Sequence, residues 1–414
     1  MTGGPVLAGA EPGGAGRRAL LLAPQPFYAE RGTPIAVRYV LEALSALGWE
    51  ADLLTFPMGS EVAIDQVRIH RVGNPLRLAT VPVGFSFGKL ALDALLARDL
   101  RRLLQSRHYD VIHAVEEAAL IATFVNGRSG PPLIYDMASS LPESLAEKPL
   151  FSRWPVQAVA RAMERRMLSR ASFVICSAGL IGRVRRMAPG VPAREWRFPA
   201  PPGARTDDAA PALREELGLD PSWRIALYGG NFASYQGVGM LAEAAHRLMS
   251  RRKDLALVLV GAADEEEARA WRERLGPELA PRVRVLRRQP RERVASFTAL
   301  ADILVSPRSS GTNFPLKLFD YLATGKPILA TDIEAHRTVL TEELALLVPP
   351  SPAGLARGLE LLLDEPARGA RLAAAGRAFA TRHLSWPRFV ALVNEVYEAA
   401  LVSGARQQAA GSAA

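Results

Sequence analysis

The chain has 414 residues, 49% of them hydrophobic and 22% charged, with a formal net charge of +9. The length exceeds what one hydrophobic core supports, so two domains are the default, and the composition excludes fibrous and disordered classes. The positive balance suits anionic substrates or an anionic membrane face; no zinc-ligand spacing, RNA-binding aromatic signature or long basic run points to nucleic acid.

Residues 1–17 are a tail rich in small residues and are expected to be disordered. Arg17-Arg18 followed by ALLLAP mimics the start of a signal peptide, but the apolar part is too short, so Ala19–Ala23 reads as a first strand and a cytoplasmic location follows. No run approaches the ~20 apolar residues of a spanning helix. Thr33 to Leu47 repeats apolar residues at helical spacing and stops at Gly48. Strands Ala51–Phe56 and Val67–Arg71 follow, then a helix over Leu90–Leu104, a strand at Val111–His113 and a helix from about Glu116. Leu133–Tyr135 is a strand, Trp154–Ser169 a long helix, and Phe173–Cys176 and Trp196–Phe198 are strands. Cys176 is the one cysteine, which excludes an intrachain disulfide, and its apolar strand predicts a buried, inert thiol. This alternation over 18–200 implies a parallel sheet covered on both faces.

Residues 201–222, rich in Pro and Ala without periodicity, read as an interdomain linker. The rhythm restarts over 223–385. Strands are expected at Ile225–Tyr228, Leu255–Val260, Val283–Leu286, Ile303–Val305, Ile328–Ala330 and Leu344–Val348. Helices are expected at Gly237–Met249, Glu265–Leu275, Arg291–Leu300, Pro352–Leu363 and Ala367–His383. A last helix covers 386–402, and 403–414 are a second disordered tail. Arginine-rich stretches at Leu100–Arg107 and Arg161–Arg170 suit either a solvated helix face or an anionic membrane.

The most informative stretch is 307–327, PRSSGTNFPLKLFDYLATGKP. A strand leads into a turn of small and polar residues, then a helix with Pro315 near its start and Gly325 at its end. Strand, glycine-containing loop and helix N-terminus make an anion site, because free backbone N–H groups and the helix dipole favour phosphate. Arg308 and Lys317 flank the loop and can neutralise a diphosphate; Asp320, one turn on, can accept hydrogen bonds from sugar hydroxyls. The competing reading is an ordinary strand–helix crossover with a polar loop. A second close backbone approach is expected in YGGNFASYQGV at 228–238, where the alternative is a tight turn without ligand. A third lies in PQPFYAERGTP at 24–34, where Gly32 and Thr33 equally suit a helix cap. His113 ends a strand, a position more often structural than catalytic, and Glu116 suits the first turn of a helix.

The stretch 306–317, SPR-x-x-G-x-N-x-P-x-K, with the Gly-Lys-Pro run at 325–327, resembles the donor-site signature of retaining glycosyltransferase family 4. That resemblance implies the GT-B fold: an α/β protein of two Rossmann-like domains facing across a cleft, with the C-terminal helix crossing back to the N-terminal domain. It implies a donor site built from Gly32, Thr33, Gly230, Asn231, Ser234, Gln236, Arg288, Gln289, Thr312, Asn313, Phe314 and Asp320. Asp136, Arg308 and Lys317 take the catalytic roles, and Phe27, Tyr28, Arg31, His113, Glu116 and Ser139 lie on the acceptor side. The family's Glu-x7-Glu pair falls on Thr312 and Asp320, its Arg and Lys of the first loop fall on Asn231 and Gln236, and Ala138 stands where a polar side chain is usual. His336 reads as a supporting residue.

The activity implied is transfer of a hexose from a nucleotide-diphosphate sugar to an acceptor hydroxyl with retention, without metal and with no cofactor beyond the sugar nucleotide. The leaving diphosphate is stabilised by preorganised N–H groups, Arg308 and Lys317. The acceptor is a sugar, a polysaccharide or a lipid-linked sugar, the last bringing a peripheral contact with the inner membrane face. The departures from the pattern motivate a second reading, a sugar-nucleotide-binding relative with reduced turnover. An inverting enzyme or epimerase on the same fold is a third.

Overall fold

The computed structural model describes residues 16–29, 32–79, 87–127, 129–146, 151–200, 209–311 and 315–412. They form two units: one up to Trp196 together with Phe389 onward, the other Arg197–Arg388.

The first unit runs β1 (Arg18–Pro26), α1 (Gly32–Ala46), β2 (Glu50–Phe56), β3 (Val67–Arg71), α2 (Phe87–Ser106), β4 (Val111–Val115), α3 (Ala118–Val125), β5 (Leu133–Met137), α4 (Leu141–Ala146), α5 (Trp154–Arg170), β6 (Phe173–Cys176), α6 (Ala178–Met187) and β7 (Ala193–Glu195). Its seven strands lie in the order β3-β2-β1-β4-β5-β6-β7, and the paired strands are parallel. β4, β5 and β6 are buried along their whole length, as a sheet covered on both faces requires.

The second unit contains α7 (Ala209–Glu216), β8 (Arg224–Gly229), α8 (Val238–Met249), β9 (Leu255–Ala262), α9 (Glu265–Leu275), β10 (Val283–Arg287), α10 (Arg291–Leu300), β11 (Ile303–Ser306), α11 (Lys317–Thr324), β12 (Ile328–Thr331), α12 (Glu334–Arg337), β13 (Leu346–Val348), α13 (Pro352–Asp364) and α14 (Pro366–His383). Its six parallel strands run β10-β9-β8-β11-β12-β13. In each sheet the first strand of the unit sits inside, with its successors built outward on one side and then on the other. The order therefore reverses between β1 and β4 and between β8 and β11, where open α/β sheets bind ligands at the carboxyl ends of their strands. Local signals fix several helix starts. Asp264 accepts a 2.8 Å hydrogen bond from Glu267 N–H, and Ser351 caps α13 through Gly354 N–H with Pro352 in the first turn.

Several expectations need correction. Residues 209–216 of the anticipated linker are helix α7; Leu213 is buried and α7 packs on α10, so an apolar anchor overrides the proline-rich composition. The anticipated tail beyond 402 is helical to Ser412, as part of α15 (Trp386–Ser412). Gly404 lets α15 approach Pro132, whose Cγ lies 2.2 Å from where a Cβ would stand. Gln407 then donates to Ala171 O (3.2 Å) and accepts from Ser172 Oγ (2.9 Å). Arg17 is not in a free tail but pairs with Glu398 and lies over the Trp49 ring. Trp196 follows β7 rather than forming a strand with Phe198. Helices α4, α6 and α12 are additional to those expected. The helix anticipated from Glu116 begins at Ala118, because Glu116 itself is left-handed, φ 53°.

Within the first unit, α15 contributes Phe389, Val393, Val396, Tyr397 and Ala400 to the core, each at most 1% exposed. Its rings meet others of the first unit edge-on or tilted. Tyr397 lies 5.3 Å from Trp49, and Phe389 lies 5.7 Å from Trp196 and 6.0 Å from Tyr39.

Candidate active site

In the second unit, three turns meet at the carboxyl ends of β8, β11 and β12. After β8, the chain turns at Gly229-Gly230, passes a single turn at Ser234–Gln236, and enters α8 through Gly237 in the left-handed region, φ 71°. A Cβ at Gly237 would fall 1.9 Å from Pro307 O, so only glycine lets this turn close on the turn after β11. Ser309 N–H donates to Tyr235 O (2.9 Å), and the Arg308 guanidinium carbon lies 5.1 Å from the centre of the Tyr235 ring. Arg308 Nε also donates to Ser310 O at 2.8 Å. At the start of α11, Lys317 Nζ donates to Gly229 O (3.2 Å) and sits 4.1 Å from the Tyr228 ring centre. No carboxylate pairs with Lys317 among the described residues. Burial, reinforced by the nearby charge of Arg308, pushes its ammonium down to about 7. Tyr321 OH accepts from Gly229 N–H at 3.0 Å and Tyr228 OH donates to Asn231 O at 2.6 Å, so two buried phenols fix the turn. Gln236 Oε1 is buried without a partner among the described residues, an acceptor of the kind that a ligand or water satisfies.

Beneath this surface, His336 is fully buried on α12, the short helix after β12. Its Nδ1 is 2.7 Å from Thr331 O and its Nε2 is 2.9 Å from Ser306 Oγ. Burial lowers its pKa to about 4, so the ring is neutral, with Nδ1–H donating to Thr331 O and Nε2 accepting from Ser306 Oγ–H. Thr331 Oγ1 in turn donates to Arg308 O. His336 thus holds up the turn that carries Arg308, the supporting role expected for it.

In the first unit, Glu116 follows β4 and Ser139 follows β5. Ser139 Oγ donates to Glu116 Oε2 at 2.8 Å. Burial, then the neighbouring charge of Glu117, raises the Glu116 carboxyl to about 8; Asp93 on α2 is raised to about 7 by the same pair of causes. Lys89 pairs with Glu117 in this cluster. His113 and Asp136 are buried rather than displayed. His113 Nδ1 and Tyr397 OH share a 2.8 Å hydrogen bond, and Trp196 Nε1 donates to Asp136 Oδ1 at 2.8 Å. His113 Nε2 stands 3.6 Å from Asp136 Oδ2 and has no hydrogen-bond partner among the described residues. Phe27 is fully buried, and Tyr28 lies beneath Arg38, whose guanidinium carbon is 5.2 Å from the ring centre. Gly32 is exposed and Thr33 half-buried at the start of α1.

These two units match known proteins. Residues 31–195 match the family model "Glycosyl transferase 4-like domain", and residues 224–365 match "Glycosyl transferases group 1". The chain is a GT4-type glycosyltransferase. Over 343 residues it is 28% identical to a phosphatidyl-myo-inositol mannosyltransferase of Mycobacterium tuberculosis, covering 81% of this chain and 85% of the relative. Over 221 residues it is 31% identical to a D-inositol 3-phosphate glycosyltransferase of Xylanimonas cellulosilytica, about half of each chain. Among solved structures, sucrose-phosphate synthase from Thermosynechococcus elongatus aligns at TM-score 0.74 with 22% identity, over 92% of this chain and 98% of that one. WaaG, a glycosyltransferase involved in lipopolysaccharide biosynthesis, aligns at 0.69 with 15% identity, over 91% and 99%. The fold of this glycosyltransferase is GT-B.

Of the anticipated donor-side residues of the glycosyltransferase, one group gathers in the second unit, whereas Gly32 and Thr33 lie at the start of α1 in the first. Gly230, Asn231, Ser234, Gln236, Arg308 and Lys317 belong to the turns at the β8/β11 reversal, with half-buried Asp320 in the first turn of α11. Arg288 is exposed after β10, its N–H donating to Ala262 O at 2.9 Å, and Gln289 is half-buried beside it. Thr312, Asn313, Phe314 and Arg31 lie outside the described residues. The tyrosines 228, 235 and 321 escaped sequence reasoning. Tyr228 and Tyr235 bracket the Gly-Gly turn, and Tyr321 lies one turn beyond Lys317, so their signal was adjacency to the glycines and the cation. Trp196 and Tyr397, which hold Asp136 and His113, are 60 and 284 residues from their partners and leave no local pattern.

Proposed function

We propose that this glycosyltransferase moves a hexose from a nucleotide-diphosphate sugar to an acceptor hydroxyl with retention of anomeric configuration and without a metal ion. The observation that carries the reading is the junction of the β8 and β11 turns. There two cations, Arg308 and Lys317, stand beside glycine turns and the starts of α8 and α11. Fixed positive charge and backbone N–H groups at such a place stabilise a diphosphate as it departs, and they do so without reorganising. The anomeric C–O bond to the diphosphate breaks, the acceptor oxygen bonds to the same face of that carbon, and the acceptor proton passes to the departing phosphate oxygen. Lys317 and Arg308 supply the charge that a metal ion would otherwise bring, and Asp320 is placed one turn from Lys317 to hold ribose hydroxyls. The names of the mannosyltransferase and inositol-phosphate relatives favour an acceptor that is a lipid-linked or phosphorylated polyol.

The test is a transfer assay with purified protein, GDP-mannose and UDP-glucose as donors, and phosphatidylinositol and inositol phosphate as acceptors, with and without EDTA. Transfer that survives EDTA, gives an α-linked product from these α-linked donors, and is lost in Lys317→Ala supports the reading; a β-linked product or an EDTA-sensitive rate overturns it. The uncharged Asn231 and Gln236 support one other reading, a donor-binding protein with little turnover. It predicts donor binding without either transfer or slow donor hydrolysis.

A further inference from the structure

Among its described residues the second unit leaves one large apolar side chain exposed, Tyr235, at 40%. An exposed tyrosine on a loop needs no explanation by itself. This one is tied down through both main chain and ring. Its carbonyl accepts from Ser309 N–H at 2.9 Å and from Ser309 Oγ at 3.2 Å. Its ring lies against the guanidinium of Arg308, a side chain left only 8% exposed. A Cβ at Gly311, φ 109°, would stand 2.5 Å from Arg308 Nη2, so glycine at that position leaves the room the guanidinium occupies.

The same arrangement recurs at the other cation. Lys317 Nζ lies over the Tyr228 ring, and a Cβ at Gly230, φ 148°, would stand 3.2 Å from that nitrogen. Each cation therefore meets the face of a tyrosine and the bare backbone of a glycine. The kind of holder matters chemically. A carboxylate would fix a guanidinium firmly but cancel its charge toward a diphosphate. An aromatic face attracts a cation through its quadrupole and leaves the unit charge in place. The two tyrosines differ in what a substitution there reports. Tyr228 is fully buried and its hydroxyl donates to Asn231 O, so removing it disturbs the turn as well. Tyr235 stands at the surface, and its ring is what the guanidinium meets.

We propose that Tyr235 is a positioning residue for glycosyl transfer: its ring holds the Arg308 guanidinium in place for the departing diphosphate, as the Tyr228 ring holds Lys317. The inference rests on the reading of Arg308 and Lys317 as the cations of the diphosphate, and adds what keeps them in register. A sugar nucleotide carries two negative charges on its diphosphate, and a third develops as the anomeric C–O bond breaks. A guanidinium fixed in advance meets that third charge without reorganising. A mobile one still attracts the donor but has to be ordered during the reaction. Loss of the ring therefore falls on the chemical step more than on donor binding.

The experiment compares the full chain with Tyr235→Leu, Tyr235→Phe, Arg308→Gln and the double variant Tyr235→Leu/Arg308→Gln. Transfer is measured with GDP-mannose and UDP-glucose, and calorimetry gives Kd for GDP and UDP beside those of the two sugar nucleotides. Tyr235→Leu is expected to lower kcat about 5- to 30-fold with a smaller change in KM, the scale of one cation–π contact. GDP and UDP already carry the extra charge of the leaving group, so they lose more affinity than the sugar nucleotides, a comparison that holds even where turnover is slow. Tyr235→Phe keeps the ring and stays near wild type. In the Arg308→Gln background Tyr235→Leu has no further effect. The side chain is exposed, so equal melting temperatures show that the loss is not unfolding. If Arg308→Gln lowers transfer and diphosphate affinity while Tyr235→Leu lowers neither, the positioning role is overturned and the diphosphate reading stands. Additive losses in the double variant also overturn it, by making the ring a direct contact of the ligand. An Arg308→Gln protein that binds and transfers like wild type overturns the diphosphate reading and this inference together.

Discussion

Lys317 carries the most quantitative expectation. Burial and the charge of Arg308 push its ammonium from 10.5 to about 7. The depression corresponds to roughly 5 kcal/mol against the charged form. A diphosphate arriving beside it reverses the preference, so binding recruits the protonated fraction. With a free-site pKa near 7, that fraction is about 0.9 at pH 6 and about 0.1 at pH 8, and the apparent donor affinity falls about tenfold between them. Proton uptake on binding approaches one at pH 8. Nucleotide sugars suit the measurement because their diphosphate is fully ionised throughout this range. Titration calorimetry with GDP-mannose and UDP-glucose, in buffers of different ionisation enthalpy, reads both the slope and the uptake. Lys317→Arg keeps its charge at every pH used, so it retains binding but loses the slope. The same depression has a stability consequence of definite sign. The folded state binds this proton more weakly than the unfolded chain, so stability rises with pH between about 7 and 10.5, and Lys317→Met melts above wild type below pH 7. An affinity flat from pH 6 to 8, or an unchanged slope in Lys317→Arg, refutes the assignment of Lys317 to the diphosphate.

Three further outcomes are expected. Gly237→Ala forces a side chain into the left-handed region and against Pro307 O, at a cost of at least about 2 kcal/mol, and lowers the melting temperature by several degrees, whereas Gly32→Ala, which meets nothing within 4 Å, leaves it unchanged. Glu116 holds its proton more tightly in the folded state, which stabilises the fold below about pH 4.5 and loses that contribution as pH rises through about 8. Glu116→Gln should therefore melt above wild type in alkaline buffer. Tyr397→Phe strands His113 Nδ1 inside the first unit and costs about 1–3 kcal/mol by denaturant unfolding, and a double-mutant cycle with His113→Phe should return a coupling of about 1 kcal/mol; additive losses would show that the pair does not interact.

The alternation of strands and helices was legible because parallel strands buried on both faces are continuous apolar runs, and β9 is buried from Leu255 to Ala262. The cation pair of the second unit was legible for a related reason: Arg308 and Lys317 lie within ten residues of one another, on either side of a glycine turn. Long-range packing was not. His113 and Asp136 lie inside strands β4 and β5, which run toward a ligand edge, yet a tyrosine and a tryptophan from distant segments bury both. Composition also misled at two places. Pro211 and the alanines around it suggested a linker, where Leu213 anchors a helix, and the residues beyond 402 suggested a disordered tail, where α15 continues and Gly404 permits contact with Pro132.

The first unit is not contiguous in the chain. Its core takes Phe389, Val393, Val396 and Tyr397 from α15, whereas Arg197–Arg388 form the other unit without interruption. On the ribosome, then, the half that is translated first is the half that finishes last. Until α15 emerges, Trp49 lacks the Tyr397 ring, Trp196 lacks Phe389 and His113 lacks its hydroxyl, so the nascent chain carries an open apolar seam for as long as the second unit takes to be made.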